Sequence, residues 1–200
     1  MPLKSRRTEA LRKGRLSFPG TLYFLTWCTA NRIPSLAENV VRKTAIHAIN
    51  ALDVAGNALV LVASIMPDHI HLLIELGTPL SVSQVVGKSK SAIARAHGEI
   101  RWQENFFEHR LRSAESAEDF AFYIFMNPYR AGLCPLDQKW AGWMSSGEVR
   151  WAFEDKLRPE GLPQPEWIEQ ANLFAQTLPP AFSRSCATFV AVKGDSVHAP

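Results

Sequence analysis

The chain of 200 residues is poor in cysteine and has no apolar stretch long enough to cross a bilayer. Its three cysteines, Cys28, Cys134 and Cys186, are odd in number and widely spaced. They indicate neither a disulfide framework nor a paired zinc motif. The basic N-terminus has no apolar run behind it, so we expect no secretory signal and no membrane partner. These absences predict a globular protein of the reducing cytoplasm.

The net charge of +3 conceals an asymmetry along the chain. Residues 1–15 carry a charge of +5, and the rest of the chain carries −2. The basic residues of this segment are Lys4, Arg6, Arg7, Arg12, Lys13 and Arg15. Arms of this kind contact nucleic-acid phosphates, although a solvated tail would have the same composition. We therefore predict a basic arm over residues 1–18 that is a candidate for DNA binding.

Periodicity and turn residues predict the element order β-α-β-β-α-β-α. The predicted strands cover 21–28, 57–66, 69–76 and 105–112, with a tight turn at Pro67-Asp68 that makes the second and third an antiparallel hairpin. The predicted helices cover 38–52, 82–97 and 117–127. Ser81 and Gln84 form a capping box before the second helix, and Pro128 ends the third. The order predicts an α+β fold, a ferredoxin-like antiparallel sheet with helices packed on one face, plus a further helix and an irregular C-terminal tail.

The first candidate group is His69-Ile70-His71 on the predicted strand 69–76. Because side chains alternate across a strand, both imidazoles point to one face, which Leu73 and Glu75 continue. Two imidazoles on neighbouring positions of one face can share a divalent ion. A strand can equally carry two histidines that bind nothing. Glu75 could contact such an ion or fix a histidine through a hydrogen bond.

The second candidate group is Tyr123 and Asn127, near the end of the helix predicted over 117–127. Residues four apart share a helical face, so the tyrosine hydroxyl and the amide oxygen project together. The same spacing suits a core aromatic residue followed by a helix-terminal asparagine before Pro128. This pair alone does not decide between the two interpretations.

Taken together with their flanking sequences, these two groups match the motifs of a known protein family. Three stretches in the right order carry the resemblance: MPDHIHLLI (66–74), WQENFFEHRLR (102–112) and YIFMNPYRAGL (123–133). With them the chain resembles the HUH single-tyrosine transposases, also called IS200-like, and most of all their REP-associated branch. The resemblance covers about residues 15–150.

The resemblance implies a catalytic domain over residues 19–135. After residue 135 the sequence pattern weakens, which predicts an extension over 136–200 that wraps the domain or is partly ordered. The resemblance also implies that Tyr123 is the nucleophile and that His69, His71 and Asn127 bind Mg²⁺ or Mn²⁺. Insertion-sequence relatives commonly have glutamine in place of Asn127, so asparagine fits the REP-associated branch better. Tyr129 departs from the family pattern, in which a small apolar residue follows the proline. We prefer Tyr123 as the nucleophile, because Tyr129 lies beyond the proline and outside the pairing with Asn127.

The implied activity is the cleavage and rejoining of single-stranded DNA. A 5′-phosphotyrosine intermediate would conserve the energy of the phosphodiester bond and release a free 3′-OH. The implied substrate is a hairpin with an unpaired flank, similar to REP sites, and the protein would act as a monomer or a homodimer. Further candidate DNA-binding residues are Lys88, Arg95, Arg110, Arg112 and Arg130. Lys88 and Arg95 lie on the helix predicted over 82–97, and for them a solvated helix face is the alternative interpretation.

Two other functions compete with this one. A domesticated transposase could keep the fold and bind single-stranded nucleic acid without cutting it, and a cleavage assay separates that protein from an active enzyme. A metal-dependent hydrolase is the other alternative. The histidine-triad pattern needs a third alternating histidine where Leu73 stands, and the two-histidine phosphoesterases need a second His-x-Ser/Thr motif. Since the chain has neither, we do not expect a hydrolase.

Overall fold

A computed structural model of the chain describes residues 17–179. The strands are β1 (Leu22–Cys28), β2 (Ala58–Ile65), β3 (His69–Leu76), β4 (Phe107–Arg110) and β5 (Trp143–Ser145). The α-helices are α1 (Asn39–Val54), α2 (Val82–Ala96), α3 (Ala117–Arg130) and α4 (Trp167–Thr177). The arm residues predicted to bind DNA lie outside the described residues: Lys4, Arg6, Arg7, Arg12, Lys13 and Arg15.

The five strands form one antiparallel sheet in the order β4-β1-β3-β2-β5. Strand β3 is central, with β1 on one side and β2 on the other. The β2–β3 hairpin turns at Pro67-Asp68, as the sequence predicts. The first four strands and the helices α1 and α2 have the order of a split βαβ fold, which confirms the ferredoxin-like prediction.

The two faces of the sheet carry separate cores because side chains alternate along each strand. On β3, Ile70, Leu72 and Ile74 pack against α1 and α2. Leu73 points the other way, into a core that contains α3 and α4. Helices α1 and α2 therefore cover one face, as predicted, and the face that carries the odd-numbered residues of β3 is covered by α3.

Helix α3 continues through Pro128 to Arg130, so its predicted end at Asn127 was wrong. Pro128 removes one backbone donor, but the turn that follows is still closed, because the N–H of Ala131 donates to the carbonyl of Asn127. The residue that terminates the helix is Gly132, which lies two positions after Arg130 and has a φ of +68°. There the N–H of Leu133 donates to the carbonyl of Pro128, and the N–H of Gly132 donates to that of Tyr129. This Schellman motif satisfies the last carbonyls and places Arg130 on a further turn of the helix.

The C-terminal extension is anchored to the core by a strand and a helix. It adds β5 to the edge of the sheet and packs α4 against α3, and the sequence pattern predicts neither element. At Gly142 a Cβ atom would collide with the backbone carbonyl oxygen of Ile65, so only glycine lets the chain approach β2 here. The Glu118 carboxylate on α3 accepts hydrogen bonds from the N–H groups of Ala152 and Phe153. Within the described residues, the extension is therefore part of the fold.

Candidate active site

The two histidines of β3 lie side by side on the face that α3 covers. The Nε2 atoms of His69 and His71 are 3.0 Å apart, and their rings stand nearly perpendicular with centroids separated by 4.6 Å. Both side chains are buried, with exposed fractions of 7% and 0%. The alternation of the strand thus brings two imidazole nitrogens to one point inside the protein.

Each imidazole is held by a hydrogen bond at Nδ1. The His69 Nδ1 lies 2.6 Å from Oδ1 of Asp68, and the His71 Nδ1 lies 2.7 Å from Oγ1 of Thr26, its cross-strand partner on β1. Because a carboxylate only accepts, Nδ1 of His69 carries the proton and its Nε2 presents a lone pair. The threonine hydroxyl donates and accepts, so it suits either tautomer of His71. The surroundings therefore direct the Nε2 lone pair of His69 into the gap between the rings, where it lies at hydrogen-bonding distance from Nε2 of His71.

Asp68 is itself held by Arg32, in an ion pair that the sequence does not predict. The Arg32 Nε lies 2.8 Å from Oδ2 of Asp68, whose side chain is only 3% exposed. Asn31 and Arg32 have φ values of 53° and 59°, a conformation that is uncommon outside glycine. From its position in a turn, Asp68 appeared only as a turn former. The single sequence signal for its role is a carboxylate directly before the first histidine of the pair.

The charges around the pair shift the pKa values of these groups. Burial raises the pKa of Asp68, but the hydrogen bond and charge of His69 and the charge of Arg32 outweigh it, so the pKa is lowered. Burial is the main cause that lowers the pKa of both histidines, most strongly for His71. The Asp68 carboxylate partly opposes this effect at His69. Both imidazoles are therefore neutral at pH 7, which is the form that binds metals.

Helix α3 brings Tyr123 and Asn127 to the same side of the sheet as the histidines. The Tyr123 ring lies 5.9 Å from the ring of His71, and the two helix side chains are 1% and 4% exposed. The Nη2 of Arg130 donates to the Tyr123 hydroxyl at 3.1 Å and to Oδ1 of Asn127 at 3.4 Å. The structure thus collects His71, Tyr123, Asn127 and Arg130 into one group beside His69.

Helix α4 covers the outer side of this group. The ring of Phe174 lies 5.7 Å from that of Tyr123, and Oδ1 of Asn172 accepts from Nη1 of Arg130 at 3.5 Å. The burial of Tyr123 therefore depends in part on the C-terminal extension.

Tyr129, the other tyrosine near the site, has a different environment. Its hydroxyl donates to the carbonyl of Gln138 at 3.1 Å and accepts from the N–H of Trp140 at 3.2 Å. Burial raises its pKa above the ordinary value, although the hydrogen bond from Trp140 lowers it. Tyr129 lies inside α3 rather than beyond its end. It follows Asn127 by two residues, and because residues two apart do not share a helical face, it points to another side of the helix. Its hydroxyl ties the extension to α3.

The other candidate residues lie apart from the histidines. Glu75 is exposed, four residues along β3 from His71 and so about 13 Å away at roughly 3.3 Å per residue. Lys88 and Arg95 are exposed on α2, which packs on the opposite face of the sheet. Arg110 and Arg112 are exposed at the far end of β4, where Arg110 pairs with Tyr23. The structure does not bring these five residues into the site.

A divalent metal ion fits the histidine pair. Two nitrogens bound at about 2.1 Å and at right angles around a metal are separated by about 3.0 Å. That is the observed separation of the Nε2 atoms. Within residues 17–179, no group of three His, Cys, Asp or Glu side chains is arranged to hold a metal. A third protein ligand would therefore be an oxygen of another residue type. Oδ1 of Asn127, which the resemblance implies, has a second lone pair beyond the one that faces Arg130.

The sequence is similar to that of a known protein family. The family model described as "Transposase IS200 like" matches residues 18–124, a range that includes both histidines and Tyr123. No curated protein matched the sequence. Among the helices described between residues 17 and 179, none is long and apolar enough to cross a membrane.

Several solved structures are similar to this one. A REP-associated tyrosine transposase bound to a REP hairpin aligns with a TM-score of 0.53 and 24% identity, over 60% of this chain and 73% of that chain. This likeness shows that the two proteins share a fold. A proposed transposase from Deinococcus radiodurans R1 aligns with a TM-score of 0.41 and 20% identity, over 50% and 86% of the chains. A bacterial tRNA(His) guanylyltransferase-like protein in complex with GTP aligns with a TM-score of 0.43 and 11% identity, over 82% and 95%.

Proposed function

We propose that this chain, which belongs to the IS200-like transposase family, cleaves and rejoins single-stranded DNA through a covalent tyrosine intermediate. In this proposal Tyr123 is the nucleophile, and His69, His71 and Asn127 hold Mg²⁺ or Mn²⁺. One observation carries the proposal. The paired Nε2 atoms and the Tyr123 ring share one side of the sheet, with 5.9 Å between the rings of His71 and Tyr123.

The reaction is an exchange of one phosphate ester for another. The Tyr123 oxygen bonds to phosphorus, the bond from phosphorus to the 3′ oxygen breaks, and the 5′ phosphate stays on the protein. The proton of the tyrosine hydroxyl passes to solvent, and the leaving 3′ oxygen takes up a proton from solvent. Attack by a 3′-OH on the phosphotyrosine reverses these steps and rejoins a strand without ATP. A bound divalent ion offsets the charge of the phosphate and orients it for attack.

The residues around the site support this chemistry by fixing its parts before DNA arrives. Asp68 and Thr26 orient the two imidazoles, and burial keeps them neutral. Two neutral histidines and one amide would leave the full charge of a bound ion for the phosphate. Tyr123 stands on α3 and is held in place by the core that this helix forms with the sheet and α4.

The proposed substrate is a DNA hairpin with an unpaired flank. The solved REP-associated transposase is bound to a REP hairpin, which supports this choice. A buried hydroxyl such as that of Tyr123 is reached more easily by a flexible single strand than by a stiff duplex. The basic arm, with its charge of +5, would add phosphate contacts that salt weakens.

A covalent-adduct assay tests the proposal. The probe is a pool of DNA hairpins with randomised stems and unpaired flanks, labelled at the 3′ end and incubated with the protein and Mn²⁺. A 5′-phosphotyrosine link carries the 3′ label onto the protein in a denaturing gel. We expect the adduct with the wild-type chain and with Tyr129→Phe, and none with Tyr123→Phe. Binding without any adduct would instead favour a DNA-binding protein that has lost cleavage.

A further inference from the structure

We infer that Arg130 is a catalytic residue, one that holds the Tyr123 hydroxyl and contacts the phosphate that this hydroxyl attacks. The inference rests on the proposed function, because it takes Tyr123 as the nucleophile. It assigns Arg130 a role beyond the general one of a positive surface residue.

The first support is the position of the guanidinium. A single nitrogen, Nη2, lies 3.1 Å from the Tyr123 hydroxyl oxygen and 3.4 Å from Oδ1 of Asn127. The guanidinium carbon stands 5.3 Å from the centre of the Tyr123 ring. The three residues follow one another at spacings of four and three on one face of α3, which is possible because the helix continues past Pro128. Arg130 therefore bridges the proposed nucleophile and a proposed metal ligand.

The second support is a pair of donors that lack acceptors. The Nε of Arg130 and the Nδ2 of Asn127 are buried, and the residues described by the structure offer them no hydrogen-bond partner. Asn127 as a whole is only 4% exposed. Buried donors nearly always have an acceptor. The reaction brings a phosphate beside the Tyr123 hydroxyl, and its oxygens are acceptors of the kind that these two donors lack.

The chemistry of the side chain fits this role. Negative charge grows on the phosphate oxygens as the Tyr123 oxygen bonds to phosphorus and the bond to the 3′ oxygen breaks. A guanidinium stays protonated, so Arg130 takes no proton in this step and acts through its charge and its donors. Its several nitrogens let Nη2 hold the tyrosine while Nε stays available to a phosphate oxygen, a division that the single nitrogen of lysine cannot make. The same contacts would stabilise the transition state of rejoining, since that step is the reverse.

The test measures single-turnover adduct formation with a hairpin that the wild-type chain selects from the randomised pool. We expect Arg130→Gln to slow adduct formation by about 10²–10³-fold at saturating DNA, the loss found when one donor to a transition-state oxyanion is removed. Arg130→Lys, which keeps the charge, should recover part of that rate. Adding methylguanidinium to Arg130→Ala should raise its rate in a saturable way. Arg150→Gln is the matched control, because the Arg150 side chain is 81% exposed and forms its ion pair with Asp155 at the surface.

The outcomes separate this inference from the proposed function. A normal adduct rate in Arg130→Gln would overturn the inference. So would a slow Arg130→Gln combined with an Arg130→Ala variant that methylguanidinium does not accelerate, because that result describes a purely structural arginine. If Tyr123→Phe still forms the adduct, or the wild-type chain forms none, the proposed function fails first and the inference falls with it.

Discussion

Replacing Asp68 with asparagine should weaken metal binding at the histidine pair while the protein stays folded. The carboxylate accepts the Nδ1 hydrogen of His69 at 2.6 Å and pairs with Arg32 at 2.8 Å. Asparagine keeps the shape and one acceptor oxygen, but it removes the negative charge. The His69 nitrogen that faces the metal then becomes a weaker donor, and its tautomer is less strongly fixed.

The size of the effect follows from these contacts. Loss of a partner that orients a metal-binding histidine costs about 10–100-fold in metal affinity. That loss corresponds to about 1.4–2.7 kcal/mol. The free energy of unfolding should fall by about 1.5–3 kcal/mol, the usual contribution of a hydrogen bond to a charged group. This drop leaves a typical domain folded at 25 °C.

The assay is a Mn²⁺ titration followed by the electron paramagnetic resonance signal of the free ion. Glu75→Gln is the matched control, because it removes one carboxylate from the same segment at an exposed position about 13 Å from His71. We expect the dissociation constant to rise in Asp68→Asn and to stay unchanged in Glu75→Gln.

Two results would refute this reasoning. Unchanged Mn²⁺ affinity in Asp68→Asn would show that the carboxylate does not act on the histidine pair. Weakened binding in Glu75→Gln would show that Glu75 reaches the metal after all, against its position in the structure.

Three further predictions concern the tyrosines, the histidines and the extension. Tyr129→Phe should form the DNA adduct at the wild-type rate. Its free energy of unfolding in urea should fall by about 1–3 kcal/mol, because the carbonyl of Gln138 and the N–H of Trp140 lose their hydrogen-bond partner. An inactive variant would make Tyr129 the nucleophile. In the metal-free protein, the pKa values of His69 and His71 are lowered, so below about pH 6.5 the unfolded chain binds protons that the folded chain does not. The free energy of unfolding should then fall with falling pH by up to about 1.4 kcal/mol per unit for each histidine, and a flat profile between pH 6.5 and 5.5 would contradict this. Gly142→Ala should lower the stability by about 1–3 kcal/mol through its collision with the backbone of β2, whereas Gly98→Ala, with open space around the new Cβ, should not.

The elements that the sequence predicts well are those with a strong local signal. The alternation of β3 places His69 and His71 on one face, and the structure has their Nε2 atoms 3.0 Å apart. The capping box of Ser81 and Gln84 is present at the start of α2. The spacing of four brings Tyr123 and Asn127 to one face of α3. The three quoted stretches also indicated the family, which the family model confirms.

Other features depend on contacts between distant parts of the chain, which local sequence patterns do not predict. Arg32 meets Asp68 across 36 positions, and α4 covers Tyr123 from a segment without a clear period. Lys88 and Arg95 form a basic helix face by sequence, but only the packing of α2 shows that this face lies across the sheet from the histidines. Strand β5 has three residues, too few for a periodic signal. The sequence alone therefore determined strands β1–β4, helices α1–α3 and which of their side chains share a face, since these follow from repeats of two and 3.6 residues. Tertiary packing decided which faces meet, and with that which charges surround the histidines and the tyrosine.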